Sequence, residues 1–217
     1  MNIKKPFIII LLLSISTHAL ALKPAPWIGN ALDGTPCSGE PGYGPYDYIK
    51  DKNQRHLVES YHFTPEVESL VSGHSGNLEQ DLNYTLRAFP NHHKALLSVI
   101  RYKLDLIKGI KKGKLQTQPE CYLIRAIKYN PEDSAVYSLY AFYLSKLGDN
   151  EKARELYSDA IKIDPDNMKI KYSFALFLID NNEKSEANKL AQEIYHKQKN
   201  APSGLRKQLN KVGAWEE

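Results

Sequence analysis

Apolar residues in this chain recur at intervals of three and four, and the runs are cut at near-regular distances by proline. That period predicts a succession of amphipathic helices. Leu78, Leu82, Leu86 and Phe89 share one side of a helix that Asn77 caps and Pro90 stops. Leu96, Val99, Ile100 and Leu104 mark the next, from His92 to about Leu106, with Asn91 as its cap. Leu123, Ala126 and Ile127 mark its partner, from Cys121 to Tyr129, ended by Asn130-Pro131. Upstream, Leu57, Val58 and Tyr61 predict a short helix over 51–63, and Thr64-Pro65-Glu66 starts another that reaches about Val71. Near the end, Leu205 and Leu209 predict a closing helix over 202–212.

The pattern is most regular from Ser134 to Asn167. Tyr137, Tyr140, Ala141, Leu144, Gly148, Ala153, Tyr157, Ala160 and Pro165 alternate bulky, small, turn and terminator residues along 34 positions. The next window starts at Met168 and repeats Phe174, Ala175, Leu178, Ala187 and Ile194 in register. Ala141 and Ala153 fit where the two helices of a hairpin cross closely, and Ala160 fits where the second helix meets the following hairpin. Pro165 lacks a backbone donor and biases Asp164 out of the helical region. Asp166 and Asn167 then suit a cap, and Gly148-Asp149-Asn150 a turn. On these residues the chain resembles tetratricopeptide repeat proteins. The resemblance implies an all-α, helical-hairpin solenoid whose use is to hold another molecule.

The expected organisation has four segments. Residues 1–21 read as a leader: Lys4 and Lys5, an apolar core from Phe7 to Ile15, and Ala19-Leu20-Ala21 as a cleavage site. The unbroken run from Phe7 to Leu13 is too short for a membrane span of about twenty residues. Residues 22–63 form an irregular N-terminal extension, rich in proline and glycine yet carrying Trp27, Ile28, Tyr43, Tyr46 and Tyr48. Residues 64–200 form the helical array, with regular repeats at 134–167 and 168–200. Residues 201–217 cap its end. The hairpin between His93 and Pro131 is longer than the regular ones and carries its insertion around Lys108–Lys114.

Removal of the leader lowers the net charge from +4 to +2, which argues against a nucleic-acid binder. Export to an oxidising compartment favours a disulfide between Cys37 and Cys121, the two cysteines of the chain, over two buried thiols. The absence of CxxC spacing disfavours a redox enzyme. His92 and His93 point about 100° apart on a helix and do not suit one metal ion. His62 lies between Glu59 and Glu66, yet the sequence supplies no nucleophile elbow, oxyanion loop or phosphate cradle. No catalytic, cofactor or metal residues are assigned, and no enzyme activity or cofactor is expected.

A second resemblance rests on Gly44-Pro-Tyr-Asp-Tyr48, Val58-Glu59, His62-Phe63-Thr64-Pro65, the run from Asp81 to His93, and Glu120-Cys-Tyr-Leu123. These blocks are similar to a family of exported bacterial tetratricopeptide proteins without an assigned activity. The resemblance implies that the cysteine-bearing lead and the Asn91-His92-His93 junction belong to the design of the fold.

In this architecture the first helix of each hairpin lines a concave groove. The positions are Leu97 and Arg101, with Lys94 beside them; Ser138, Phe142 and Lys146, with Ser145; and Lys169, Tyr172, Leu176 and Ile179. So apolar a groove calls for an occupant, either a partner's peptide or the aromatic lead folded back. It holds too few cations for a clamp on acidic chain termini. The five lysines between Lys103 and Lys114 read as a solvated insertion, with acidic lipid or wall polymer as the other reading. The expectation is a periplasmic adaptor for a protein or peptide partner, with no nucleic acid and no stable membrane insertion after cleavage. The alternative is a protein that binds a small ligand or glycan on its aromatic lead.

Overall fold

A computed structural model of the chain describes residues 29–37, 42–198 and 201–215. The expected leader and its cleavage after Ala21 lie outside these residues. The described region is all-α, a solenoid of ten helices. They are α1 Lys52–His62, α2 Pro65–Glu68, α3 Leu78–Ala88, α4 His93–Ile107 and α5 Pro119–Tyr129. Then come α6 Ser134–Leu147, α7 Asn150–Ile163, α8 Met168–Asp180, α9 Lys184–Lys197 and α10 Gly204–Lys211. One isolated β-bridge joins Asn30 and Pro36.

The helices end in two alternating ways. α3, α5 and α7 stop at Phe89, Asn130 and Asp164, whose backbones are extended, with φ between −137° and −130°. A proline follows each of them, as the sequence predicts. α2, α4, α6, α8 and α10 stop instead at a residue of positive φ: Leu70, Gly109, Gly148, Asn182 and Gly213. The next amide in each case reaches back five residues, as Val71 N–H does to Glu66 O and Asp149 N–H to Leu144 O. That bond uses a carbonyl the helix end leaves open. Gly148, at φ 88°, is where the left-handed turn favours glycine most plainly. Leu70 takes the same turn without being glycine, so α2 ends at Glu68 and not near Val71. Its side chain, 3% exposed, is anchored in the core.

The alternation identifies α2 as a stunted first helix. It packs on α3 and α4, as α4 packs on α6, α6 on α8 and α8 on α10. α1 packs on α3. The helical layer therefore begins inside the 22–63 segment, at the short helix expected over 51–63, so the boundary of the array falls earlier than residue 64.

In the regular hairpins, Ala141, Ala153, Ala160, Ala175 and Ala187 are fully buried. Large side chains fill the spaces they leave: Leu144, Leu178, Ile194, and Tyr157 stacked on Phe174 with centroids 5.2 Å apart. Each buried leucine of this kind stabilises by about 1.5–3 kcal/mol. Asp149 and Asn167 cap α7 and α8 by accepting from Lys152 N–H and Ile170 N–H. Leu205 and Leu209 of α10 are fully buried and close the end of the array.

The lead lies along the outside of the stack. A Cys37–Cys121 disulfide fixes it to α5. Beside it the buried Glu120 accepts from Leu32 N–H at 2.9 Å and from the Tyr143 hydroxyl at 3.0 Å. Further on, Tyr43, Tyr46 and Tyr48 pack against Val58, Ala88 and Phe89. Gly44 permits a close approach, because a Cβ there would sit 2.5 Å from Ala88 O, the carbonyl to which Tyr46 N–H donates.

Candidate functional site

Two places gather the residues singled out from the sequence: the Asn91-His92-His93 junction and the face made by α4, α6 and α8.

The junction is a buried polar network. His92, not Asn91, caps α4: its Nδ1 accepts from Ala95 N–H at 3.2 Å. With Nδ1 an acceptor, Nε2 carries the hydrogen and donates to Glu59 at 3.1 Å. Burial pushes His92 below its ordinary value, against the pull of Glu59, and the hydrogen bond from His92 in turn lowers Glu59. Asn91 turns the other way. It accepts from Tyr48 N–H at 2.9 Å and donates to Asp133 at 2.8 Å. His93 Nε2 stands 2.8 Å from the same Asp133 carboxylate. Asp47 takes Ile49 N–H, Lys50 N–H and the Asn130 amide. The two histidines thus end on different carboxylates, on elements 33 and 40 positions away in the chain. Every named partner is internal, and the network joins the lead, α1, α4 and the start of α6.

His62 has an equally internal role. It stacks on Tyr84 at 3.8 Å and bonds Asp81 Oδ1 at 2.8 Å. Asp81 Oδ2 accepts from three successive backbone amides, those of His74, Ser75 and Gly76. Burial raises the Asp81 carboxyl, but the bonds from His62 and these amides more than offset it and hold it low. Glu59 faces His92 instead of His62, so the acid–base pairing suggested by sequence proximity does not form.

The second place is a trough with two adjoining hollows. One, of about 270 Å³, is lined by His93, Lys94, Leu97, Ala135, Ser138, Leu139, Lys169, Ile170 and Ser173. The other, of about 370 Å³, is lined by Phe142, Ser145, Lys146, Tyr157, Leu176, Phe177, Ile179 and Gln208. Ser173 borders both, so they adjoin. Of the groove positions expected from the repeat frame, Leu97, Ser138 and Lys169 fall in the first hollow. Phe142, Lys146, Leu176 and Ile179 fall in the second. Arg101 and Tyr172 line neither. Arg101 lies one turn beyond Leu97, and the Tyr172 hydroxyl sits against Gly204 at the start of α10. Gln208 is not legible in the sequence, since its place depends on how α10 folds onto α8. Leu139 and Ile170 escape a sequence reading because they look like core.

The first hollow is mainly apolar, whereas the second sets Ser145, Lys146, Asp180 and Gln208 beside its apolar side chains. Lys94 pairs with Glu68 at 3.3 Å and Lys146 with Asp180 at 3.5 Å. Tyr157 lies at the base of the second hollow, and burial raises its hydroxyl far above the ordinary value, so it remains neutral. The described residues of the lead run beside α3 and α5 and do not enter the trough. Only Tyr48 comes near, its ring 5.0 Å from His93.

Residues 122–155 match the family model of the tetratricopeptide repeat. The stretch from α5 to α7 thus carries a tetratricopeptide repeat. The matched window opens in α5 and closes in α7, out of phase with the frame starting at Ser134 but the same length. A similar curated protein is BBSome complex member BBS4 of Bos taurus, 32% identical over 76 residues. That stretch is 35% of this chain and only 15% of that protein. No solved structure matches the chain. Tetratricopeptide arrays are interaction scaffolds, built from stacked units that present an extended concave surface. Among the described residues no helix is long and apolar enough to cross a membrane.

Proposed function

We propose that this chain is an exported, periplasmic adaptor that holds a segment of a protein partner in the trough of α4, α6 and α8, within an envelope-associated assembly. The observation that carries the reading is the apolar stripe of Leu97, Leu139, Phe142, Leu176 and Ile179, of which Leu97 is exposed and the other four are half-buried against the core along the two hollows. Apolar surface left in a concave face is the mark of a binding groove. With Lys94 and Lys146 paired to carboxylates, the trough suits an apolar segment better than an acidic chain end. The leader-like start of the sequence supports export.

A glycan or small ligand on the aromatic lead has less support. Tyr46 and Tyr48 spend their ring faces on Phe89 and His92. The hollow bounded by Tyr43, Tyr61, His62 and Tyr84 holds about 130 Å³. Small-molecule sites run to about 300–1,000 Å³.

The test is crosslinking in intact cells with wild type and with Phe142→Glu/Leu176→Glu. The adaptor reading expects the double variant to keep its helicity by circular dichroism and to lose the crosslinked partner. A partner retained by the folded double variant refutes the trough as the working face.

A further inference from the structure

Val71, Ile107 and Ile110 are 75%, 57% and 68% exposed, the three most exposed large hydrophobic residues among the described residues. The end of α4 and the loop after it carry two of them, and that loop is tied to the backbone beside the third. Ile107 is the last residue of α4, and Gly109, at φ 71°, turns the chain so that Ile110 follows on the outside. Lys111 Nζ then donates to Leu70 O at 2.8 Å, which fixes the loop beside Val71. Lys108, Lys111, Lys112 and Lys114 flank Ile107 and Ile110 along the chain, while Glu66 and Glu68 precede Val71. From Arg101 to Lys114 the chain carries six basic residues and one acid, Asp105. Lys108, Lys112 and Lys114 are exposed, with no ion-pair partner among the described residues. Glu79, the acid near the far end of the loop, already accepts from Gln116 N–H.

We propose that this loop, with Val71 beside it, is a docking surface for a bilayer of anionic phospholipid. Aliphatic side chains standing clear of the surface are suited to enter the boundary between headgroups and acyl chains. Lysines at the same level gain from the negative surface potential. A peptide partner would need a concavity for side chains that extend outward, and the tips project instead. Docking here is peripheral and lies outside the trough, so it is independent of the adaptor reading and leaves the groove open.

Flotation of the exported form of the full chain with phosphatidylcholine vesicles, with and without phosphatidylglycerol, tests the proposal. Binding is expected only with phosphatidylglycerol, and it should fall steeply as salt is raised. Lys108→Gln/Lys112→Gln/Lys114→Gln should weaken partitioning roughly 100-fold, at about fivefold per lysine. Lys111 is left in place because it anchors the loop. Ile107→Ser/Ile110→Ser, which alters only exposed side chains, should weaken it on the order of tenfold or more. Circular dichroism on both variants should match wild type. No binding to anionic vesicles overturns the proposal, as does equal binding to neutral ones. Sensitivity to the lysines without sensitivity to the isoleucines also overturns it, in favour of a polyanion held by charge alone.

Discussion

The regular repeats, α6 to α9, and the stretch of chain from residue 29 to α5 do the same job by different chemistry. Both stack helices into one array. In α6–α9 the helices of a hairpin lie close because alanines face each other, and aromatic and aliphatic side chains fill what remains. Between residue 29 and α5, by contrast, α2 is cut to four residues, the α4–α5 hairpin is spread by an insertion, and the lead is irregular. Fewer side chains interlock there. The compensation is polar and covalent: a disulfide, the Glu120 bridge, and the network of Asp47, Asn91, His92, His93 and Asp133. A repeat array tolerates degenerate units, then, if its ends are tied by directional bonds in place of shape.

The largest way to break this contrast is to remove the disulfide. It closes a loop of 84 positions. Cys37→Ser/Cys121→Ser should lower stability by about 2–5 kcal/mol, read from denaturant midpoints. Hydrogen exchange should rise first in α1 and around the junction and last in α6–α9. A uniform rise across all helices would show that the two regions do not differ in what holds them.

A matched pair of substitutions sharpens the point. Ala141→Leu overfills a fully buried crossing and should cost about 1–3 kcal/mol by thermal melting. Asn91→Ala removes no bulk from a crossing but leaves Tyr48 N–H and Asp133 short of a partner, and should cost about 1–3 kcal/mol. Reduction of the disulfide should worsen Asn91→Ala more than Ala141→Leu, because only the first shares its region. Equal additivity would contradict the division.

The smallest effect is that of pH. His92 titrates below its ordinary value when folded, so the unfolded chain takes up the proton first as pH falls. The stability His92 contributes is complete above its unfolded value of about 6.5 and is lost as pH drops through the lower folded value. The lowered Glu59 acts in the same direction at more acid pH. Wild type should therefore melt earlier as pH falls from about 7 to about 5. His92→Asn keeps a cap acceptor for Ala95 N–H and removes the titration, so its melting temperature should be lower but flatter with pH. A slope equal to that of wild type would place the sensitivity elsewhere.

Much of the array is written openly in the sequence. Small and large residues at 34-residue spacing, with proline after α3, α5 and α7, define the hairpins because those residues are demanded by local geometry. The cysteine pair is legible for a similar reason: its two members are the only cysteines. What stays hidden depends on contacts between distant segments. His92 displaces Asn91 as the cap only because Tyr48 and Asp133 claim the Asn91 amide. Leu70 ends α2 because its side chain is wanted in the core, which a propensity argument does not register. In the trough, seven of the nine expected residues line the hollows. Tyr172 turns toward α10 and Arg101 runs past the end, and neither outcome follows from the repeat frame alone.

The placement of the lead also bears on the order of events in folding. The pairs that hold it span 84 positions for the disulfide, 88 for Leu32 with Glu120, and 83 for Asp47 with Asn130. Contacts inside a regular hairpin close loops far shorter than these and form sooner. Glu120 presents its carboxylate to Leu32 while also bonded to Tyr143, so the receiving surface is complete only after α5 has met α6. The lead is consequently the segment that finds its seat last, with Cys37 waiting for its partner while α5 and α6 assemble.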